Sequence, residues 1–330
     1  MIKHRKITLS CIIPSTISNK SFRNLTKSII SLKRQAKVFS TNILIVTNTD
    51  SKPGIRNDKP IHRNILRLPG TLGYSELNNI AIDYCIRNYS SDYILLLNDD
   101  AFLSSDFFSV LKKQIDTSTF DILSPLIMTP NGELIDSFGI EYFRSGYAKN
   151  SNLIGVRTTM ATGACMIIKT SFLIKMKLKF GYVFNPLLYF YLEDVDFSLR
   201  ALMIDARISK CKYLKAYHYG SATTGKKSFF TMYQTYRNVL WILIMDWPLI
   251  QLLRHSPSII IVQMWMMLCS VAVFGPQLHA KLIVNTFLYL PKLLRYRNET
   301  LSSYPNKALF ANVISRVSFR TYNNIIIRLP

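Results

Sequence analysis

The sequence predicts an α/β protein built on a doubly wound, mostly parallel sheet. Short apolar segments alternate with amphipathic ones along the first half of the chain, which is typical of strand–helix–strand units with right-handed crossovers. The apolar run Tyr93–Leu97 ends in Asn98-Asp99-Asp100, so a buried strand is expected to deliver carboxylates to one edge of the sheet. Ligands of such sheets bind beyond the carboxyl ends of the strands. The pattern therefore predicts a ligand crevice at that edge.

The individual elements follow from short apolar runs for strands and from apolar spacings of three and four residues for helices. Strands are expected over 7–13, 43–46, 65–68, 93–97, 121–128, 166–169 and 212–217, and helices over 21–37, 75–87, 102–113 and 190–200. A β-hairpin is expected within 134–149, after the turn Pro130-Asn131-Gly132. Asp99 and Asp100 would either hold a divalent cation or cap the helix over 102–113.

Composition limits the classes of protein that fit. The chain has 330 residues, 49% of them apolar, which suffices for the core of one large domain or one and a half. Its 41 basic and 19 acidic residues give a net charge of +22, which favours nucleic acid, nucleotide phosphates or an anionic membrane as partner. Five widely spaced cysteines without a C-x-x-C pair argue against a disulfide framework or a zinc site, and favour a reducing cytosol. The first apolar run is too short for a signal peptide.

A second acidic cluster lies in the segment 190–200. Glu193, Asp194 and Asp196 fall within one helical turn, and such crowding raises the proton affinity of at least one carboxylate. Because a general base needs this property, Asp194 is predicted to be a base, with Arg200 as its orienting partner. The alternative is that these acids only complement the helix dipole. His218, after the last predicted strand, would be a structural histidine or a metal ligand.

Two further motifs leave alternatives open. Gly70 and Gly73 either let the backbone approach a ligand or shape a turn before a helix. The glycine pattern of a dinucleotide-binding fold is absent, and so is that of a P-loop. The sequence therefore argues against both of these phosphate-binding sites. Arg237, in the segment Tyr236-Arg237-Asn238, would contact a donor phosphate or seal an interface.

Taken in order, the segments resemble those of the family 2 glycosyltransferases, above all their bacterial rhamnosyltransferase-type members. The resemblance covers roughly residues 7–245 and rests on I-I-P, V-x-N, G-x-x-G-Y, L-L-L-N-D-D, T-G-A-C-M, Y-F-Y-L-E-D-V-D-F-S-L-R, H-x-G and Y-R-N. It implies a GT-A fold, a nucleotide-diphosphate-sugar donor, a divalent cation (Mn²⁺ or Mg²⁺) and inversion at the anomeric carbon. The sugar moved would be a hexose or a deoxyhexose.

The resemblance also implies roles for individual residues. The catalytic positions are Asp194, as the base, and Glu193. The metal-binding positions are Asp100, His218 and Asn98. The donor-binding positions are Pro14, Ser15, Asn48, Gly73, Asn79, Asp99 and Arg237.

The last third of the chain differs in kind, so we expect a catalytic domain over 1–225 and a helical, membrane-associated region over 226–330. That region has twelve Lys or Arg against Asp246 and Glu299. Its most apolar window, 258–275, would be about 27 Å long as a helix, short for a bilayer core of about 30 Å. A helix lying in the membrane interface is therefore expected, followed by a basic amphipathic segment over 282–297. The candidate membrane anchors of this C-terminal region are Trp241, Trp247 and Trp265. A buried helical subdomain is the alternative.

The sequence thus predicts a membrane-associated, metal-dependent, inverting glycosyltransferase of cell-envelope polysaccharide biosynthesis. Its acceptor would be a lipid-linked or surface-polysaccharide glycan, and it would lie on the cytoplasmic face of the cell membrane. A nucleotidyltransferase is one alternative, although Pro14-Ser15-Thr16 lacks the glycine-rich loop usual after the first strand. A basic nucleic-acid-binding protein is another; it would explain the net charge but not the two acidic clusters, so nucleic acid is not expected as a partner.

Overall fold

The computed structural model describes residues 5–15, 19–48, 65–156, 158–220, 228–302 and 313. Its strands are β1 (Thr8–Pro14), β2 (Ser40–Asn48), β3 (Ile65–Leu68), β4 (Tyr93–Leu97), β5 (Ala101–Leu103), β6 (Ile122–Met128), β7 (Ile135–Ser137), β8 (Ile140–Tyr142), β9 (Ala148–Asn150), β10 (Cys165–Lys169) and β11 (Ile208–His218). Its helices are α1 (Asn19–Lys33), α2 (Tyr74–Tyr89), α3 (Phe107–Thr117), α4 (Thr170–Phe180), α5 (Glu193–Met203), α6 (Phe229–Asp246), α7 (Leu249–Phe274) and α8 (Gln277–Ser302).

The predicted α/β sheet is confirmed. Its strands lie in the order β3-β2-β1-β4-β10-β6-β11-β5, with β7 beside β6. Strands β3, β2, β1 and β4 are parallel, β10 runs antiparallel between β4 and β6, and β11 is parallel to β6. Six strands therefore share one direction. Strands β8 and β9 form the expected hairpin as a separate sheet.

One helix begins later than the sequence predicts. A short strand, β5, follows Asp100 and pairs antiparallel with β11, where His218 stands opposite Ala101. The helix α3 therefore begins at Phe107, and its N-terminal cap is Asp106. The interpretation of Asp99 and Asp100 as caps of this helix is thus wrong, because the sheet extends past them.

Two apolar layers cover the two faces of the sheet. One packs α1 and α3 against the strands, and the other packs α2, α4 and α5 against the opposite face. A third cluster joins the β8–β9 hairpin, α5 and the three C-terminal helices. The C-terminal helices are therefore packed directly on the element that carries the second acidic cluster.

The strand directions bring the polar residues of distant segments to one edge. Ser15 follows β1, Asn98 follows β4 and His218 ends β11, and these three strands point the same way. The antiparallel β10 begins at that edge, directly after Gly163 and Ala164. A main-chain hydrogen bond joins the end of β4 to the start of β10, because the Asn98 N–H donates to the Ala164 carbonyl at 3.0 Å.

The helix α7 is longer than the sequence predicts. It has 26 residues, or roughly 39 Å at 1.5 Å per residue, so it is long and apolar enough to cross a bilayer. Pro257 lies inside it and leaves the Leu253 carbonyl without its usual donor. The Ser256 hydroxyl donates to that carbonyl at 2.9 Å. The helix thus continues through Pro257 and begins nine residues before the predicted window 258–275.

Two of the three predicted membrane anchors are wrong. Trp241 and Trp247 are 2% and 0% exposed, because both lie in the cluster beneath α6. The Trp247 indole donates to the Tyr142 hydroxyl at 3.1 Å, and the Trp241 indole donates to Thr286 at 3.0 Å. These side chains hold α6 to the hairpin and to α8, and Trp265 alone of the three is partly exposed.

Candidate active site

A cavity of about 570 Å³ opens at the carboxyl edge of the sheet and contains both acidic clusters. Its first wall consists of Pro14, Ser15, Asn98, Asp99, Asp100 and His218. Its second wall consists of Gly163, Glu193 and Asp194, together with the aromatic segment before α5. Asp100 and Asp194, which are 94 residues apart in the sequence, therefore face one space. A cavity of this size is in the usual range for small-molecule sites.

The first wall holds its carboxylates through specific partners. The Ser15 hydroxyl donates to Asp99 Oδ2 at 2.7 Å, while His218 Nε2 lies 3.1 Å from Asp100 Oδ1. Burial raises the pKa of Asp99 to about 6, although the Ser15 hydrogen bond opposes this. Burial opposes the charged form of His218, but hydrogen bonds to Asp100 and Asp136 outweigh it and raise the pKa of the ring to about 9.

The donors on this wall suit a divalent cation bound together with substrate phosphates. Ligands at right angles, each about 2.1 Å from an octahedral ion, lie about 3.0 Å apart, which the Asp100–His218 separation of 3.1 Å matches. One carboxylate and one imidazole are donors that Mn²⁺ accepts. Within the described part of the chain, no three His, Cys, Asp or Glu side chains converge to hold an ion unaided. The two side chains present therefore fit a cation that completes its shell on phosphate oxygens.

Asn98, the third predicted metal position, lines the cavity but has a protein partner. The Tyr74 hydroxyl donates to Asn98 Oδ1 at 3.1 Å and also lies 3.0 Å from the Gly163 carbonyl oxygen. Tyr74 begins α2 and is the last residue of the G-x-x-G-Y segment, but the sequence assigned it no role. It ties the strand end of the first wall to the glycine loop of the second.

On the second wall, Asp194 is fixed by main-chain donors. The Gly163 N–H donates to Oδ2 at 2.7 Å, and the Val195 N–H donates to Oδ1 at 2.9 Å. Burial raises the pKa of Asp194, and these backbone hydrogen bonds oppose the shift. The neighbouring Glu193 carries the larger perturbation, since burial and then the charge of Asp194 raise its pKa to about 8. Burial, more than the crowding of acids, therefore raises the proton affinity of the pair.

The predicted partner of Asp194 is wrong. Arg200 is fully buried and forms a salt bridge with Asp196, four residues earlier on α5, rather than with Asp194. Arg200 also donates to the Val183 carbonyl at 2.8 Å. Asp196 and Arg200 lie one helical turn apart, and their ion pair forms on the face of α5 that is turned away from the cavity. The Asp194 carboxylate is oriented by backbone N–H groups instead.

A strained turn presents the acids. Tyr191 and Leu192, just before α5, have φ angles of 69° and 62°, in the left-handed region that residues other than glycine rarely adopt. The Asn238 side-chain amide, fully buried on α6, donates to the Phe190 carbonyl at 2.8 Å and to the Tyr191 carbonyl at 2.7 Å. A helix of the C-terminal third thus stabilises the conformation that starts α5 at Glu193.

The remaining predicted donor residues lie outside the cavity lining. The Asn48 amide exchanges two hydrogen bonds with Leu72, and the Asn79 amide exchanges two with Phe184, so both hold loops. Arg237 donates to the Asn238 side chain and to a carbonyl, and its guanidinium lies 4.3 Å from the centre of the Trp241 ring.

The packing of the fold explains why position 73 is a glycine. It precedes α2, and a β-carbon there would overlap the ring and the carbonyl oxygen of Tyr189. The Tyr74 N–H donates to that same carbonyl at 2.8 Å. Of the two interpretations of this glycine, the packing favours the turn before the helix.

The cavity extends past Asp194 along residues that the sequence did not reveal. This part is lined by Ile140, Ala148, Lys149 and Asn150 of the hairpin, by Phe190 and Tyr191, and by Thr235 of α6. It contains Lys149, whose ammonium lies 3.6 Å from the buried carboxylate of Glu141. The site therefore has two halves, one at the strand ends and one under the hairpin.

The fold resembles solved structures. One is a crystal structure of GalNAc-T7 with UDP, GalNAc and Mn²⁺, with a TM-score of 0.55 and 13% identity, covering 74% of this chain and 49% of that chain. Another is S. aureus TarS 1-349 in complex with UDP-GlcNAc, with a TM-score of 0.50 and 16% identity, covering 94% of this chain and 84% of that chain. The fold is that of the GT-A glycosyltransferases. The expected GT-A sheet is thereby confirmed.

Sequence comparison gives a narrower likeness. The chain is 28% identical over 178 residues to the low-salt glycan biosynthesis hexosyltransferase Agl10 of Haloferax volcanii. The match covers 51% of this chain and 54% of the relative, so it extends over about half of either protein. No protein-family model matches the chain.

Proposed function

We propose that this protein is an inverting glycosyltransferase. It would move a hexosyl or deoxyhexosyl group from a nucleotide-diphosphate-sugar to a hydroxyl of a lipid-linked or surface-polysaccharide glycan. The observation that carries the proposal is the single cavity in which the Asp100–His218 pair faces Asp194. The similarity to a glycan biosynthesis hexosyltransferase supports the reaction class, and the Mn²⁺ and UDP named for GalNAc-T7 support the cation and the donor class.

The residues of the first wall would bind the donor. Asp100 and His218 would hold a divalent cation, which supplies positive charge to the diphosphate as it leaves. Ser15 lies beside these acids at the end of β1, where the nucleoside half of the donor would enter. Asp99, fixed by the Ser15 hydroxyl, would contribute to that half of the site.

Asp194 would act as the general base. Its carboxylate is fixed by the Gly163 and Val195 N–H groups, so one orientation is maintained toward an acceptor hydroxyl. It would take the hydroxyl proton while the oxygen attacks the anomeric carbon from the face opposite the diphosphate. The bond to the diphosphate breaks as the new glycosidic bond forms. One displacement inverts the carbon and needs no covalent glycosyl-enzyme.

The test is a donor screen with product analysis. The purified chain is incubated with UDP-, GDP- and dTDP-sugars, Mn²⁺ and a total lipid extract as acceptor. We expect release of a nucleoside diphosphate and a glycosylated lipid whose anomeric configuration is opposite to that of the donor. A parallel incubation contains nucleoside triphosphates and sugar phosphates; release of pyrophosphate there, without transfer from the sugar nucleotides, would indicate a nucleotidyltransferase instead. Retention of configuration would contradict Asp194 as the sole base.

The C-terminal helices would place this site at an anionic membrane surface. α7 and α8 form an antiparallel pair around Gly275, and both expose apolar side chains. On α7 these are Leu249, Ile250, Leu253, Ile260, Ile261, Met264, Met267, Leu268, Val271 and Val273; on α8 they are Ile283, Val284, Phe287, Leu288, Tyr289 and Leu294. Exposed cations at Arg254, Lys281 and Lys292 accompany this face, and they suit acidic headgroups.

The packing favours insertion in the membrane plane over spanning. α8 is bonded to α6 along its length, through Thr286 to Trp241 and through Arg297 to the Ile244 carbonyl. α6 in turn holds the turn before α5 through Asn238. If α7 crossed the bilayer beside α8, these ties would draw the catalytic sheet into the hydrocarbon. The protein would therefore lie on the inner face of the membrane.

Vesicle flotation tests this orientation. We expect the chain to float with vesicles that contain phosphatidylglycerol and less with phosphatidylcholine alone. The double substitution Met264→Glu and Phe287→Glu should abolish flotation, because both side chains are exposed on the apolar face. The matched control is Leu178→Glu, whose side chain is 83% exposed on α4. Flotation of the double variant equal to that of the wild type would contradict the proposal.

A further inference from the structure

His218 has a second carboxylate partner that the donor site does not explain. Asp136 lies in β7, which pairs antiparallel with β6, and β6 is parallel to β11, whose last residue is His218. The sheet thus brings together two residues that are 82 positions apart. Asp136 follows the turn at Gly132 and belongs to no recognisable motif, so no sequence pattern pointed to it.

The histidine ring lies between two acids with different surroundings. Nδ1 is 2.9 Å from Asp136 Oδ2, and Nε2 is 3.1 Å from Asp100 Oδ1. Asp100 and His218 line the cavity, whereas Asp136 lies behind the ring, with 28% of its side chain exposed. One ring nitrogen therefore faces the cavity and the other faces Asp136.

We propose that Asp136 is a positioning residue that prepares His218 to bind the cation. Once a cation takes the Nε2 lone pair, the one remaining ring proton is on Nδ1, where it is donated to the Asp136 carboxylate, which only accepts hydrogen bonds. Metal-binding histidines usually donate their second N–H to such a partner, which fixes the ring and increases its basicity. This inference rests on the proposed cation at Asp100 and His218, and it adds a residue that does not touch the cation or the donor.

Direct metal binding tests the role without an activity assay. Mn²⁺ alone is titrated into the full chain, and free Mn²⁺ is followed by electron paramagnetic resonance. We expect Asp136→Ala to weaken Mn²⁺ binding about 10- to 100-fold. Asp136→Asn should weaken it less, because the amide oxygen still accepts from Nδ1–H. The matched control is Glu133→Gln, an exposed acid near the same turn, which should bind as the wild type does.

A second readout separates positioning from simple stabilisation of the fold. The ¹⁵N spectra of the five histidines are recorded above the raised pKa of His218, where its ring is neutral, and its signals are assigned with His218→Gln. In the wild type, Asp136 should hold a share of the ring proton on Nδ1. In Asp136→Ala the proton should shift to Nε2 in a large share of the molecules, whereas a residue that only stabilises β7 would leave the tautomer unchanged. If Asp136→Ala fails to fold, Asp136→Asn provides both measurements.

The outcomes distinguish this inference from the proposed function. If the wild type and both Asp136 variants bind Mn²⁺ equally and keep the same tautomer, Asp136 has no positioning role, while the cation site stands. If the wild type itself binds no Mn²⁺, the cation site fails and this inference fails with it. Weaker binding together with a changed tautomer supports the role of Asp136.

Discussion

Asn238 offers the sharpest test of how the C-terminal third serves the site. Its buried amide donates to the carbonyls of Phe190 and Tyr191, and it holds a turn in which Tyr191 and Leu192 are left-handed. Asn238→Ala removes these two hydrogen bonds and also the one that Asn238 Oδ1 accepts from Arg237 Nε. At about 1 kcal/mol for each bond, and more where the carbonyl stays unpaired, the free energy of unfolding should fall by roughly 2–4 kcal/mol.

The effect on catalysis should exceed the effect on donor binding. Left-handed residues are less stable by about 1–3 kcal/mol each, so the turn should relax once Asn238 no longer holds it. The start of α5 would then shift and move Asp194. A displacement of about 1 Å at a reacting group lowers rates about 100-fold. The residues that would bind the donor lie on the first wall, so donor affinity should change less than about threefold.

Rapid-quench measurement of single-turnover transfer, with calorimetry for the donor, gives the two numbers. The matched control is Asn285→Ala, which removes the hydrogen bond to Tyr233 between α8 and α6 and leaves the turn untouched. It should destabilise the fold without slowing transfer. Transfer by Asn238→Ala within a few-fold of the wild-type rate, despite the expected loss of stability, would refute the argument that the turn positions the base.

Three further predictions concern the acids and the glycine turn. Burial and the charge of Asp194 raise the pKa of Glu193 to about 8, so the folded state favours the protonated carboxyl. The contribution of this group to the free energy of unfolding is therefore fully present below the unfolded pKa of 4.5 and is lost as the pH rises through about 8. Glu193→Gln should therefore raise the melting temperature more at pH 9 than at pH 5; equal shifts would contradict this. Burial also raises the pKa of Asp194, so kcat/KM should rise with pH along a limb of unit slope, measured over pH 4–9, and a flat profile would count against its role as base. Gly73→Ala should destabilise by about 1–3 kcal/mol through the overlap with Tyr189, measured by denaturant titration. Gly70→Ala, with φ +80° and open space around it, is the control for backbone strain alone and should lose less.

Sequence patterns predicted the parts of the site that depend on strand ends. The apolar run before Asn98 and the acids after it are local features, and the carboxyl edge of a parallel sheet is a general binding edge. Asp99 and Asp100 were predicted from this segment, His218 from its place after the last predicted strand, and Ser15 from the family resemblance; all four line the cavity. The helix that carries Glu193, Asp194 and Asp196 was also predicted from a local spacing, although it begins at Glu193 rather than at residue 190.

What the sequence could not predict depends on contacts between distant elements. The pairing of β5 with β11 replaced the expected helix start with a strand. Arg200 was expected to pair with Asp194 because the two are close in sequence. In the helix it pairs instead with Asp196, which lies four residues before it on the same face. Asp136 reaches His218 only because β7 returns beside β6. None of these pairings has a signature in a single segment.

Substitution of the two central acids tests the account most directly. Donor affinity in Mn²⁺ and single-turnover transfer are measured for Asp194→Asn and for Asp100→Ala. Asp194→Asn should bind the donor within about threefold of the wild-type affinity and lose transfer by about 10²- to 10⁴-fold, as expected for removal of a general base. Asp100→Ala should lose donor affinity and transfer together. If both variants weaken donor binding alike, or if Asp194→Asn still transfers at the wild-type rate, the assignment of the two acids to opposite sides of one reaction is wrong.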